Sequence, residues 1–236
     1  MNLPQTAMIL AAGKGTRMLP LTKAMPKACV KVNGKMLIDH VLDRAMEAGI
    51  RRFVINLHYC GGVLRQTLAP REGAEIVFSE EDELLETGGG VLRALPILGE
   101  APFFVLNCDS LWLNGAYDML HRLANDFDAG RMDGLLALYA HVRSQDYMSR
   151  ADFLIAVDGR LSRPLPHQQP AHVFLGASLL SPSLFADAPA GAFSLNKLFN
   201  KAIEAERLFG LVHDGLWFHV STPEDVSRTE MELGLL

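Results

Sequence analysis

Short apolar runs of strand character alternate with amphipathic helical stretches over the first 140 residues. That alternation leaves few folds open. The strand-like runs fall at about Ala7–Ala11, Arg52–Leu57, Glu75–Ser79, Phe103–Asn107 and Gly134–Tyr139. Helical spacing predicts helices at about Leu37–Ala48, Gly61–Leu68, from Gly88 to just before Pro96, and Ala116–Asp126, with Gly49 closing the first. Short buried strands joined by helices predict a doubly wound α/β fold: a mostly parallel, mixed sheet covered on both faces. The second half drops the alternation. Phe153–Val157, His172–Leu180, Phe209–His213 and Trp217–Val220 are strand-like, and Leu195–Ala205 and Pro223–Leu233 are helical. This predicts extra strands and a small subdomain, with the Pro- and Gln-rich stretch Leu161–Pro170 as a mobile loop. A length of 236 residues suits one domain.

In such sheets ligands bind beyond the carboxyl ends of the strands. The first strand run, Met8–Ala12, feeds into Gly13-Lys14-Gly15-Thr16-Arg17. Glycines permit a sharp turn and close approach to backbone N–H groups. Lys14, Arg17, Lys23 and Lys27 add four cations, and the combination suits a polyphosphate. The spacing is not that of a Walker A loop. A Rossmann fingerprint requires a third glycine where Met18 stands, and an acid where the second strand ends in Asn56. Asp109 closes the fourth strand run, where an oxygen ligand for Mg²⁺ is expected beside phosphates.

The net charge of −5 argues against nucleic-acid and anionic-membrane partners, and no apolar run is long enough to span a bilayer. Met1–Gln5 lacks a basic start and a secretory core, so the expected address is cytoplasmic. Cys29, Cys60 and Cys108 have neither metal spacing nor an even count, and read as reduced packing or loop residues. His40, His121, His141 and His167 carry no ligand spacing and read as surface or packing residues.

The run from Gly13 to Lys27 matches G-x-G-T-R-[LM]-x-P-x-T-x-x-x-P-K without a gap. It resembles the signature of the sugar-phosphate nucleotidyltransferases, in particular their short uridylyltransferase branch. Glu86-Thr87-Gly88-Gly89-Gly90 resembles that branch's base-proximal turn, Asn107-Cys108-Asp109 its N-x-D metal motif, and Arg150-Ala151-Asp152-Phe153 its G-D-F segment. Trp217–Pro223 resembles the closing W-x-D-V-G-T segment, with His219 in place of Asp and Ser221 in place of Gly.

The resemblance implies a nucleotide-binding half at about 1–130 and a sugar-binding half at about 131–236. It implies nucleotide contacts along Leu10-Ala11-Ala12-Gly13-Lys14-Gly15-Thr16-Arg17, at Lys27, and across the slot at Thr87 and Gly88. Arg17, Lys27 and Asp109 are the implied catalytic residues, and Asp152 and Gly176 the implied sugar contacts. Asp109 is the implied ligand of Mg²⁺, with Mn²⁺ as a substitute, and His219 a weak or water-mediated one. The expected substrates are UTP and N-acetyl-α-muramate 1-phosphate, for a UDP-sugar used in cell-wall recycling, in a monomer or weak homo-oligomer. Mannose-1-phosphate guanylyl transfer and a non-catalytic sugar-nucleotide sensor stay open as alternatives.

Overall fold

A computed structural model describes residues 3–68, 70–140, 152–168 and 171–235. Its first half follows the expected alternation: β1 (Thr6–Leu10), β2 (Lys31–Val32), β3 (Lys35–Met36), α1 (Leu37–Glu47), β4 (Arg52–Leu57), α2 (Gly61–Thr67), β5 (Glu75–Glu80), α3 (Glu86–Leu98) and β6 (Phe103–Asn107). Then come β7 (Ser110–Leu113), α4 (Met119–Asp126), β8 (Gly134–Ala140), β9 (Leu154–Ile155), β10 (Leu161–Ser162) and β11 (His172–Leu180). The described chain ends with α5 (Leu195–Glu204), β12 (Leu208–Val212), β13 (Leu216–His219) and α6 (Pro223–Leu233).

Seven strands form one mixed sheet in the order β12-β8-β11-β6-β1-β4-β5. β11 is antiparallel to both of its neighbours, β6 and β8, whereas β6, β1, β4 and β5 pair in parallel. Period-two side chains serve two cores. Ala7, Ile9, Phe53, Ile55, Phe104 and Leu106 face a core shared with α1, α2 and α4. Met8, Val54, Phe103, Val105, Leu136 and Leu138 face one shared with α3 and α5.

The chain passes outward from β1 to β4 and β5, then returns to the other side of β1 with β6. The switch of direction therefore lies between β1 and β6, where open α/β sheets leave a crevice at the carboxyl edge. The turn after β1 and the loop after β6 both flank it. A third, smaller core of Met18, Val30, Val32, Leu37, Leu111, Phe218 and Val220 lies beside this edge and pins the post-β1 loop to the two-stranded β7–β13 ribbon.

Several expected elements change. α3 does not stop before Pro96 but runs to Leu98. The proline costs one hydrogen bond near the helix end. In return Leu98 reaches the core, the Gly99 N–H bonds Leu95 O at 3.0 Å, and Arg52 caps Ile97 O. α4 starts at Met119 because Asp118 takes the N-cap, accepting the His121 N–H at 2.9 Å. β2, β3 and β7 were not expected. The Asn33-Gly34 turn joining β2 to β3 carries φ of 51° and 76°, the left-handed pair a tight hairpin demands. The expected loop from Leu161 begins instead as β10 paired with β9, and Arg163 is tied to Asn196 and Asn200 of α5. His141 lies outside the described residues.

Candidate active site

The turn after β1 is built around one glycine. Gly15 has φ of 60°, and a Cβ there would lie 3.0 Å from Lys27 Cβ and 3.1 Å from Thr22 Cγ2. Glycine supplies both the left-handed backbone and the room for the Lys27 stem. The buried Thr22 hydroxyl donates to Gly15 O at 2.8 Å, and Tyr59 Oη donates to Thr22 O at 2.9 Å, so the return path of the loop is fixed. Met18 is fully buried beneath it, while Gly13, Lys14, Thr16 and Arg17 stay exposed. Lys23 is also exposed. Lys27 opens a 3-10 turn over Lys27–Cys29 after buried Pro26, and its side chain is only 12% exposed.

Lys27 crosses the crevice to Asp109. Its Nζ donates to Asp109 Oδ2 at 2.6 Å. Burial by itself would raise the Asp109 carboxyl. The Lys27 ammonium foremost, together with His219 and the hydrogen bonds the carboxylate accepts, outweighs burial and holds the group below the usual carboxylate range. His219 arrives through the antiparallel β7–β13 pair, in which it faces Ser110, and Val220 N–H donates to Asp109 O at 3.0 Å. Burial, reinforced by Lys27 and Arg17 and opposed by Asp109, keeps the His219 ring below the usual histidine range and hence neutral at pH 7. Arg17, Lys27, Asp109 and His219 are thus gathered at one place.

Among the described residues, no group of three or more His, Cys, Asp or Glu is arranged to hold a metal ion. The donor set at the crevice is one carboxylate and one neutral imidazole. That suits an ion such as Mg²⁺, which takes one or two protein carboxylates and fills its shell with phosphate oxygens and water. The pairing with an ammonium shows that Asp109 already accepts a cation at this point. Neither nearby acid, Asp225 or Asp214, adds a free carboxylate to this donor set. Asp225 accepts the Ser221 and Thr222 N–H groups in the α6 capping box, and Asp214 pairs with Arg122. Ser221 joins that cap through its hydroxyl, 3.2 Å from Asp225 Oδ2. The Cys108 thiol, buried beside Asp109, is pushed up to about 12 and that of Cys29 to about 11, both by burial first. Neither is a nucleophile at neutral pH.

On the β4–β5 side of the same sheet edge, Gly88, Gly89 and Gly90 sit near the start of α3. Here the missing side chains make room for protein. Added Cβ atoms would lie 2.3 Å from the Phe193 ring, 2.5 Å from Gly191 O and 2.6 Å from Glu81 Oε1, respectively. The Gly88 and Gly89 N–H groups donate to Phe193 O. Thr87 does not cap α3. Its hydroxyl accepts the Leu195 N–H of α5 at 2.9 Å, joining the two helix starts.

The expected sugar contacts lie along β11. Asp152 Oδ2 accepts the Phe174 N–H at 2.9 Å, and burial, offset in part by that bond and by Arg163, leaves the carboxyl above the usual range. Arg150 and Ala151 lie outside the described residues. Gly176 has φ of 89°, and its close approach is to protein: an added Cβ would lie 3.0 Å from Asn107 Cβ and 3.1 Å from Ser110 Cβ. Ser110 Oγ accepts Trp217 Nε1–H at 2.6 Å, which links β11, β7 and β13 behind Asp109.

The sequence reading missed two residues of this region. Asn56 entered it only as the wrong residue for a dinucleotide site, and Glu81 not at all. Both are buried polar groups, at 3% and 5% exposure, that connect the turn after β1 to the entry of α3. Lone polar residues at the ends of the second and third strand runs were the available signal.

Residues 7–197 match the family model described as the MobA-like NTP transferase domain. The chain is 39% identical over 235 residues to the N-acetylmuramate alpha-1-phosphate uridylyltransferase of Caulobacter vibrioides, covering 98% of this chain and 97% of that protein. It is 33% identical to the protein of the same name from Neisseria meningitidis serogroup B, covering 92% and 93%. A mannose-1-phosphate guanylyltransferase catalytic subunit beta of Drosophila pseudoobscura pseudoobscura is 27% identical over 93% of this chain, which spans only 60% of that relative. The fold matches a UDP-glucose pyrophosphorylase solved with UDP-glucose at a TM-score of 0.82, 16% identity and 98% coverage of both chains. The chain belongs to the MobA-like NTP transferase domain family and is a nucleotidyltransferase whose near-full-length relatives are sugar-1-phosphate uridylyltransferases.

Proposed function

We propose that this chain transfers the uridylyl group of UTP to N-acetyl-α-muramate 1-phosphate, giving the UDP-sugar and pyrophosphate. The observation that carries the reading is the likeness to two uridylyltransferases of that specificity along nearly the whole chain. The convergence of Arg17, Lys27 and Asp109 on the β1–β6 crevice supports it. A sugar-phosphate oxygen attacks the α-phosphorus, a new P–O bond forms, and the bond to the β-phosphate oxygen breaks with its electron pair leaving on pyrophosphate. The attacking group is already anionic, so no side-chain nucleophile is needed. Catalysis rests on positioning and charge neutralisation.

In this reading the turn from Leu10 to Thr16, exposed at Gly13, Lys14 and Thr16, and the cation of Lys14 hold the triphosphate. Arg17 neutralises charge that collects on the leaving pyrophosphate. Lys27 lies between the α-phosphate and the sugar phosphate and exchanges Asp109 for them when they arrive. Asp109, with the neutral His219 beside it, would hold Mg²⁺ or Mn²⁺, whose bound charge offsets that of the triphosphate. Thr87 and Gly88 border the base, and Asp152 and the β11 bend at Gly176 border the sugar. The chain acts as one domain, with a nucleotide half and a sugar half, in the cytoplasm, and supplies cell-wall sugar recycling.

The test is pyrophosphate release across the four nucleoside triphosphates and a panel of sugar 1-phosphates with Mg²⁺. The fastest turnover is expected for UTP with N-acetyl-α-muramate 1-phosphate. Faster turnover with GTP and mannose 1-phosphate would replace this assignment. Tight UTP binding without turnover of any sugar phosphate would make the chain a sensor.

A further inference from the structure

Asn56, the penultimate residue of β4, is bonded to the turn after β1. Its Oδ1 accepts the Ala11 N–H at 2.7 Å, and its Nδ2 donates to Glu81 Oε1 at 2.7 Å. These two partners fix the orientation of the amide, since one is a donor and the other an acceptor. Glu81, just past β5, accepts the Leu85 N–H at its other oxygen, 3.1 Å away, at the entry to α3. One continuous chain of hydrogen bonds therefore runs from Ala11, through two buried side chains, to the residue before Glu86-Thr87-Gly88. Gly90 leaves the space for it: a Cβ there would lie 2.6 Å from Glu81 Oε1 and 2.9 Å from Asn56 Nδ2.

Packing alone does not account for this pair. Among the described residues no cation contacts the Glu81 carboxyl, and neutral donors repay only part of the cost of burying it. An apolar pair would fill the same space with less desolvation. It could not accept backbone N–H groups from the post-β1 turn and the α3 entry at once.

We propose that Asn56 and Glu81 are positioning residues of the nucleoside slot, holding the Ala11–Gly13 wall and the Thr87–Gly88 wall at one spacing. The inference rests on the reading that places the nucleoside between those walls. A slot of fixed width binds a flat base with little reorganisation, so the bracket acts on the triphosphate rather than on the sugar phosphate or the chemical step.

The bracket has a swap that keeps every bond. In Asn56→Asp/Glu81→Gln the carboxylate introduced at position 56 accepts from Ala11 N and from the amide introduced at position 81, whose oxygen accepts from Leu85 N. Each single variant breaks the chain: Asn56→Asp sets two acid oxygens face to face, and Glu81→Gln sets amide hydrogens against the Leu85 N–H. We expect each single variant to raise the Kd and KM for UTP roughly tenfold, the low end for a residue that acts through another. The KM for the sugar phosphate and kcat at saturation should stay near wild type, and the double variant should recover UTP binding.

A merely structural pair would lower Tm without that KM split. Single variants that leave the Kd for UTP unchanged, or a double variant that binds no tighter than the weaker single, would overturn the bracket. Gly90→Ala, which forces the pair apart without altering either member, supplies an independent reading if a single variant does not fold; unchanged UTP binding in folded Gly90→Ala also overturns it. Amide NMR of the wild type separates the two layers. If UTP leaves the Ala11–Gly13 and Thr87–Gly88 signals unmoved, the slot reading falls and the bracket with it. If they move, the variants judge the bracket alone.

Discussion

The two glycine-rich turns read alike in the sequence and do opposite work in the fold. A Cβ added at Gly13, after β1, would meet nothing within 4 Å, and the turn around it is exposed. At Gly88–Gly90 in α3, every missing side chain is replaced by protein: a ring, a carbonyl or the Asn56–Glu81 pair. The first turn leaves space for a ligand. The second uses its glycines to bring α3, α5 and β4 closer than side chains would allow. Glycine in a motif thus marks close approach, and only the surrounding fold says whether a phosphate or a neighbouring helix makes it.

The largest effect that can sharpen this contrast is on the open side. Arg17→Ala is expected to lower kcat by roughly a hundredfold, about 3 kcal/mol of transition-state stabilisation, with Tm close to wild type because the side chain is exposed. Lys27→Ala should match that loss of rate but also lower Tm. Its side chain is 12% exposed rather than free on a polar loop, and its removal strands the Asp109 carboxylate. The same variant, without nucleotide, should bind Mn²⁺ more tightly than wild type, since Lys27 no longer competes for Asp109. Calorimetry and kinetics on both variants check this. Near-normal turnover in either would remove its phosphate role, and unchanged Mn²⁺ affinity in Lys27→Ala would mean the ion binds elsewhere.

A smaller effect separates the two turns directly. Gly88→Ala places a methyl group 2.3 Å from the Phe193 ring and 2.9 Å from its carbonyl oxygen. Overpacking of this kind costs about 1–3 kcal/mol, or a Tm drop of roughly 2–12 °C in a chain of this size. Gly13→Ala meets no neighbour and should leave Tm unchanged while raising the KM for the triphosphate. Equal Tm losses in both variants, measured by calorimetric scans, would abolish the distinction.

The sheet was legible because its strands carry apolar residues on both faces, and β4, β11 and α6 fall where the pattern places them. The elements that surround the site were less so. β13 falls within the strand-like run Trp217–Val220, but its partner β7, four residues long, is too short for periodicity to register, and it is their pairing that brings His219 to Asp109. Thr87 stands in the first turn of α3, but its hydroxyl serves α5, 108 residues on. Lys27 and Asp109 stand 82 residues apart and meet through the sheet's change of direction between β1 and β6. A local motif marks each partner; only the strand order unites them.

The smallest effect concerns the sugar side, where Asp152 differs from Asp109 in the sign of its shift. Burial comes first for both carboxyls. At Asp109 the Lys27 ammonium, His219 and hydrogen bonds together overturn it, whereas at Asp152 the Phe174 N–H and Arg163 do not, and the group stays above the usual range. A carboxyl with a raised folded-state pKa binds its proton more tightly in the native state, so its contribution to stability falls as pH climbs from the ordinary carboxylate range through that raised value. Asp109 does the reverse: its contribution is full above the ordinary range and is lost as pH drops through the lowered value. Asp152→Asn removes the titration while an amide oxygen can still accept the Phe174 N–H. Its Tm should therefore equal or slightly exceed wild type at pH 7, and lose that margin near pH 4, where the native carboxyl is protonated. The KM for the sugar phosphate should rise, because a neutral amide accepts hydroxyl protons less strongly than a carboxylate. A Tm below wild type at pH 7 together with an unchanged KM would make Asp152 a brace for β11 and leave the sugar to other residues.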